Sequence, residues 1–125
     1  MAARSGRTGR HKNLACLPIP ATFKIPTCDK CGAEWLDEDT ADRLEGLLEA
    51  AYRKELRAGL CRAIETIGKH ASQRRLEALI GVSQGYLSKL KSHDREPSPE
   101  LVSELALIAR DPKRRLRELE KYWGM

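Results

Sequence analysis

A chain of 125 residues, 41% apolar and 33% charged, can close one compact domain or two very small ones. One Phe, two Trp and three Tyr are its only aromatic residues apart from histidine, a composition that favours helices over a β-sandwich. No apolar run reaches the roughly 18 residues of a membrane span. Arg4, Arg7, Arg10 and Lys12 are not followed by an apolar stretch, so a secretory signal is not expected and a cytoplasmic location is.

The net charge of +5 is unevenly spread. Arg4, Arg7, Arg10, Lys12 and Lys24 meet no acid up to residue 24. Acids dominate residues 29–57, and bases dominate again over 69–95. Basic blocks attract polyanions, of which nucleic acid is the usual one. Ordinary solubility is the plainer reading of so small a net charge. Cys16, Cys28, Cys31 and Cys61 are irregularly spaced. Without an export signal they point to metal or redox chemistry rather than a disulfide framework.

In chain order, residues 1–12 are rich in Arg, Gly and Ser and read as a disordered basic arm. Residues 13–38 interleave Leu14, Leu17, Ile19, Phe23 and Ile25 with Pro18, Pro20 and Pro26, which excludes helix and suits short edge strands. The run Cys28-Asp29-Lys30-Cys31-Gly32 follows, then Trp35, which with Trp123 reads as a core or interface anchor. Residues 39–69 read as a connecting helix or pair of helices. Asp39 or Thr40 can cap it, Leu44, Leu47, Leu48, Ala51 and Leu56 form its apolar stripe, and Gly59 is where it would bend or break. Cys61 falls on the same stripe and reads as a buried apolar residue.

Shorter helices follow. One runs from Ser72 to Ile80 and ends at Gly81. The next runs from Ser83, its expected N-cap, to about Lys91. Ser98 caps a third that starts at Pro99, and a last helix over 112–123 carries Leu116, Leu119, Tyr122 and Trp123 on one side. Gly81 permits the positive φ of a tight helix–helix turn. Leu76, Ile80, Val82, Leu87 and Leu90 can form one apolar seam. Ser83, Gln84, Tyr86, Ser88 and Lys89 then face outwards as donor-rich side chains suited to base edges in a major groove. A plain helical bundle with a glycine turn is the competing reading.

Residues 60–110 resemble the helix-turn-helix of the Cro/phage-repressor (Xre) family. The resemblance rests on Gln73 opening the first helix, Gly81-Val82 at the turn, Leu87-Ser88 in the second helix, and Pro97 with Pro99 beyond it. It implies that Gln73, Ser83, Gln84, Tyr86, Ser88 and Lys89 face bases, while Lys69, Arg74, Lys91 and Arg95 grip phosphates. Position 77 is usually small in that family; here it is Glu77, expected to pair with a basic neighbour.

The pair Cys28-x-x-Cys31 with Gly32 has the spacing of a zinc knuckle. His11 and Cys16 are the nearby residues that could complete a Zn²⁺ site; a metal-free relic and a redox pair are the alternatives. Residues 25–48 resemble the zinc-finger domain of MqsA/YgiT-type antitoxins through Cys28-Asp29-Lys30-Cys31-Gly32-Ala33-Glu34-Trp35-Leu36-Asp37 and Leu44, Leu47 and Leu48. The first CxxC pair of that family has no counterpart here. The resemblance implies a zinc domain before an Xre-type helix-turn-helix, operator binding and, in many members, a toxin partner.

The expected fold is mainly α: a C-terminal helix-turn-helix bundle, with residues 111–125 as its last helix, preceded by a small β-rich knuckle and a connecting helix. The expected function is that of a double-stranded-DNA-binding regulator, an antitoxin-like autorepressor acting as a homodimer. The C-terminal helix is the favoured dimer surface. A protein-binding adaptor built on the knuckle and acidic helix is the runner-up. Thiol catalysis at Cys28 and Cys31 is weakest, since no base, phosphate loop or nucleophile elbow accompanies them, and His70 and His93 read as surface or phosphate-contacting residues.

Overall fold

A computed structural model describes residues 2–3 and 7–125. Arg4, assigned to the basic arm, lies outside the described residues. Backbone contacts divide the chain into two compact units, Met1–Lys54 and Glu55–Met125. The observed architecture is mainly helical, as expected, with short strands confined to the N-terminal unit.

In the first unit, β1 (Ala2–Ala3) pairs antiparallel with β4 (Lys24–Ile25). β2 (Thr8–His11) and β3 (Leu14–Pro18) form a hairpin with Gly9 opposite Leu17 and His11 opposite Leu14. The arm expected to be disordered over 1–12 is therefore in strands at Ala2–Ala3 and Thr8–His11. Arg7 anchors it: the guanidinium binds the Phe23 carbonyl and lies 3.2 Å from Glu34, and Ile19 N–H donates to the Arg7 carbonyl at 2.9 Å. Leu17, Phe23, Ile25, Leu48 and Tyr52 are buried. A Cβ at Gly9 would sit 3.1 Å from Leu48 Cδ2, so the hairpin lies close against the helix that carries Leu48.

That helix, α1 (Glu38–Ile67), is a single element of 30 residues, and Gly59 does not interrupt it. Its start is capped by Asp37, not by Asp39 or Thr40: the Asp37 carboxylate accepts from Thr40 N–H at 2.7 Å. The Thr40 hydroxyl and backbone N–H together hold the Asp37 carboxyl below the ordinary carboxylate range. Along α1 the buried apolar positions are Leu48, Tyr52, Leu56, Leu60, Ala63, Ile64 and Ile67, with Thr40 buried in the first turn. Leu47 of the expected stripe is exposed, and Tyr52 takes a place in its stead.

In the second unit, the end of α1 packs with α2 (Gln73–Ile80), α3 (Tyr86–Lys91), α4 (Pro99–Arg110) and α5 (Pro112–Trp123). Leu60, Ile64, Ile67, Leu76, Leu79, Leu87, Leu90, Leu105, Ile108 and Leu116 form one apolar core. Ser72, Ser98 and Asp111 cap α2, α4 and α5, each side chain accepting the N–H three residues on. Pro99 and Pro112 occupy first-turn positions, where a missing N–H leaves no helical bond unmade. Leu116 is core, the Trp123 indole N–H donates to the Leu79 carbonyl at 2.8 Å, and Arg75 pairs with Glu120 at 3.3 Å. The C-terminal helix is thus part of the bundle rather than an appendage. Trp35 and Trp123 are both about half exposed and neither is a core residue. Among the described residues no helix is long and apolar enough to cross a membrane.

Candidate nucleic-acid interface

The turn between α2 and α3 is built from two glycines. Gly81 ends α2 with φ 78°, and its N–H returns to the Glu77 carbonyl. Gly85 stands at the N-cap of α3 with φ 85°. Both lie in the left-handed region where a Cβ is costly. Ser83, expected to cap α3, belongs to the turn instead: its carbonyl accepts Tyr86 N–H at 3.1 Å. Gly85 has no side chain to satisfy the first N–H groups of α3, so another residue must.

That residue is Glu77. It is only 3% exposed. One carboxylate oxygen accepts Gly85 N–H at 3.1 Å and the other accepts Leu87 N–H at 2.9 Å. The basic partner expected for Glu77 is therefore replaced by backbone donors at the positive end of α3. Position 77, expected to be small, holds a carboxylate that ties α2 to the start of the next helix.

The other end of α3 is held by a cation. The Arg57 guanidinium binds the Leu90 carbonyl, reaches the Arg95 carbonyl at 3.5 Å and pairs with Glu96 at 3.2 Å. His93, with φ 69°, lets the chain turn back, and Asp94 N–H donates to the Lys89 carbonyl at 3.0 Å. α3 has only six residues, yet side chains from elsewhere satisfy orphan groups at both of its ends. Sequence reasoning missed Arg57, because a base on a long helix carries no sign of its partner.

Leu87 and Leu90 are fully buried, which turns Ser88 and Lys89 outwards. Ser83, Gln84, Ser88, Lys89, Lys69, Arg74, Lys91 and Arg95 are all exposed. Two of the expected base-facing residues differ. Tyr86 is half-buried with its side chain packed on the core. Gln73 is half-buried, and its amide donates to Ser88 Oγ at 2.7 Å, joining the start of α2 to the face of α3. Arg74 donates to the Gln84 amide oxygen at 3.2 Å. Leu76 of the expected seam is fully buried on α2, as is Leu79, whereas Ile80 is only half-buried.

In the N-terminal unit the proposed metal ligands are not brought together. Among the described residues no three His, Cys, Asp or Glu side chains could share one ion. His11 Nε2 lies 2.5 Å from Glu49, its ring edge on Tyr52, and Cys16 is exposed on β3. A four-ligand Zn²⁺ site of His11, Cys16, Cys28 and Cys31 within one chain does not fit this geometry. Cys28 and Cys31 do share a loop. The backbone N–H groups of Cys31 and then Lys30 turn towards the Cys28 sulfur and lower its thiol pKa. Cys61 is half-buried beside Ile64 on α1.

A helix of core-anchored leucines, set after a glycine turn and presenting a polar row, is the arrangement of a major-groove reader. Residues 69–108 match the sequence model of the family described as Helix-turn-helix. The chain therefore carries a DNA-binding helix-turn-helix of the regulatory kind, with α2 as its first helix and α3 as its second. No curated protein and no solved structure matches the chain.

Proposed function

We propose that this protein is a sequence-specific transcriptional repressor that reads double-stranded DNA with α3 and works as a homodimer. The observation that carries this reading is the exposed row Ser83, Gln84, Ser88 and Lys89, with the opposite side of α3 fixed in the core and both its ends tied by Glu77 and Arg57. Lys69, Arg74, Lys91 and Arg95 supply phosphate contacts, which give affinity without sequence information. An antitoxin-like autorepressor is the finer form of this reading, supported by the order of cysteine loop before helix-turn-helix.

The test is selection of bound DNA from a random pool, followed by Gln84→Ala and Lys89→Ala on the selected site. A base contact is worth about 1–3 kcal/mol, so each variant should bind roughly 5- to 150-fold more weakly. Lys91→Ala should instead weaken binding to all sequences and lower the salt slope by about one. Unchanged affinity in both Gln84→Ala and Lys89→Ala would remove α3 as the reader.

A single helix-turn-helix reads few base pairs, so pairing of two is the usual route to useful specificity. With Leu116 in the core, the surface that supports pairing is the groove of about 470 Å³ between α4 and α5, where Leu107 and Tyr122 are 61% and 77% exposed. Freed of metal, Tyr122→Glu should sediment as a folded monomer.

A further inference from the structure

We propose that Cys28 and Cys31 are half of a zinc site that a second copy of this chain completes, one Zn²⁺ being held by four thiolates from two loops. The loop is set by its own backbone. Thr27 and Glu34 form a bridge, Cys28 N–H donates to the Ala33 carbonyl at 2.8 Å, Gly32 N–H to the Cys28 carbonyl at 2.9 Å, and Trp35 N–H to the Pro26 carbonyl at 3.1 Å. The two thiols are thus presented together, Cys31 exposed and Cys28 partly so.

A closed structural zinc site takes four ligands, and thiolates are its commonest donors. One loop offers two. Among the described residues of the chain no third donor joins them, and His11 is engaged by Glu49. Two identical loops facing across a two-fold axis supply the set of four, each thiol giving up its proton on binding.

The surroundings suit such a contact. Asp29 and Lys30 are adjacent, exposed and opposite in charge, so in a self-complementary interface each can meet the other's counterpart. Trp35 and Leu36 follow the loop and are each 51% exposed, large apolar side chains that a second loop would cover. A second copy fits better than a dissimilar partner, because the half-site and its charge pair are both complementary to themselves.

The inference is independent of DNA reading, and its test measures metal and mass. The full chain, freed of metal with EDTA and titrated with Zn²⁺ under reducing conditions, should saturate at one zinc per two chains. Co²⁺ should saturate at the same ratio with the intense d–d and sulfur charge-transfer bands of a tetrahedral all-thiolate site. In the Tyr122→Glu background, where the helical groove is disabled, zinc alone should convert monomer to dimer in sedimentation. Cys28→Ser and Cys31→Ser should each abolish that conversion while the circular dichroism of the helices is unchanged. Saturation at one metal per chain, metal binding without a change in mass, or no binding at stoichiometric zinc would each overturn the proposal.

Discussion

Replacing Glu77 tests whether a buried carboxylate fixes the start of α3. In the native chain its two oxygens accept the Gly85 and Leu87 N–H groups, and the second of these bonds is fully buried. Hydrogen bonds to a charged group contribute about 1.5–3 kcal/mol each, and a buried donor left without a partner costs about 1–3 kcal/mol. Against this stands the cost of keeping a carboxylate out of water, several kcal/mol, already incurred in the native state and relieved by its removal. Water can reach the half-buried Gly85 N–H in a variant but not the Leu87 N–H. Glu77→Ala should therefore destabilise the helical unit by about 2–4 kcal/mol, a large part of the 5–15 kcal/mol typical of a domain. Glu77→Gln keeps one acceptor but aims an amide NH₂ at the other donor, so its loss should be about 1–3 kcal/mol. Urea unfolding followed by circular dichroism measures both. Hydrogen exchange at the Leu87 amide should speed up more than exchange at Leu105 on α4. A Glu77→Ala chain as stable as the native one, or more so, would refute the reasoning: a small residue closing the helix crossing would then outweigh the capped turn.

Arg57→Met should cost about 1–2 kcal/mol by leaving the Leu90 carbonyl unpaired, and Arg57→Lys should not restore it, because an ammonium cannot span Leu90 and Glu96 as the planar fork does; urea midpoints decide. Glu49 is held at about 2, against its ordinary 4.5, chiefly by His11, then Lys12, then Arg53. Its contribution is thus full above about pH 4.5 and is lost as the pH falls towards about 2. Glu49→Gln should lower stability at pH 6 but flatten the difference from the native chain at pH 2.5, and a constant difference across that range would contradict it. Leu116→Ala should cost about 2–4 kcal/mol, as for a core leucine, whereas Tyr122→Ala should stay within about 0.5 kcal/mol in dilute monomer; equal effects on thermal unfolding would mean that the two sides of α5 are misassigned.

Much of the second unit was legible because its signals are local. Ser72, Ser98, Pro99 and Pro112 mark helix starts through chemistry within three residues, and the observed helices begin where these residues say. Gly81 marked the turn for the same reason. What escaped was long-range. Ser83 and Gly85 both have features of a helix start, and only the approach of Glu77 from the previous helix favours the second. Tyr86 reads as polar and outward until the core beside α3 is seen to accept its ring. In the first unit, His11 and Cys16 lie near the cysteine loop in sequence and composition suggested shared ligation. The hairpin β2–β3 carries His11 to Glu49 instead, a hydrogen-bonded pair 38 residues apart that no spacing encodes.

The shortness of α3 gives those long-range contacts their significance. A helix of six residues cannot hold itself in water, since nucleation costs more than so few bonds return. Leu87 and Leu90 anchor one side of α3 in the core but leave its two ends free to fray. A reader of base edges must hold its side chains to within a fraction of an ångström, or hydrogen bonds to the wrong base become as good as those to the right one. Glu77 and Arg57 close the two ends with charges matched to the helix dipole, negative at the start and positive at the finish. Both side chains are bound to the protein's own backbone, so neither is free to read sequence. Each sets how rigidly Gln84 before α3 and Ser88 and Lys89 on it are displayed. It follows that Glu77→Gln, even where the chain stays folded, should reduce discrimination between the selected site and single-base variants more than it reduces binding to random DNA. Fluorescence anisotropy on matched and mismatched duplexes measures the two separately, and an equal loss on both would mean that the ends of α3 affect stability alone.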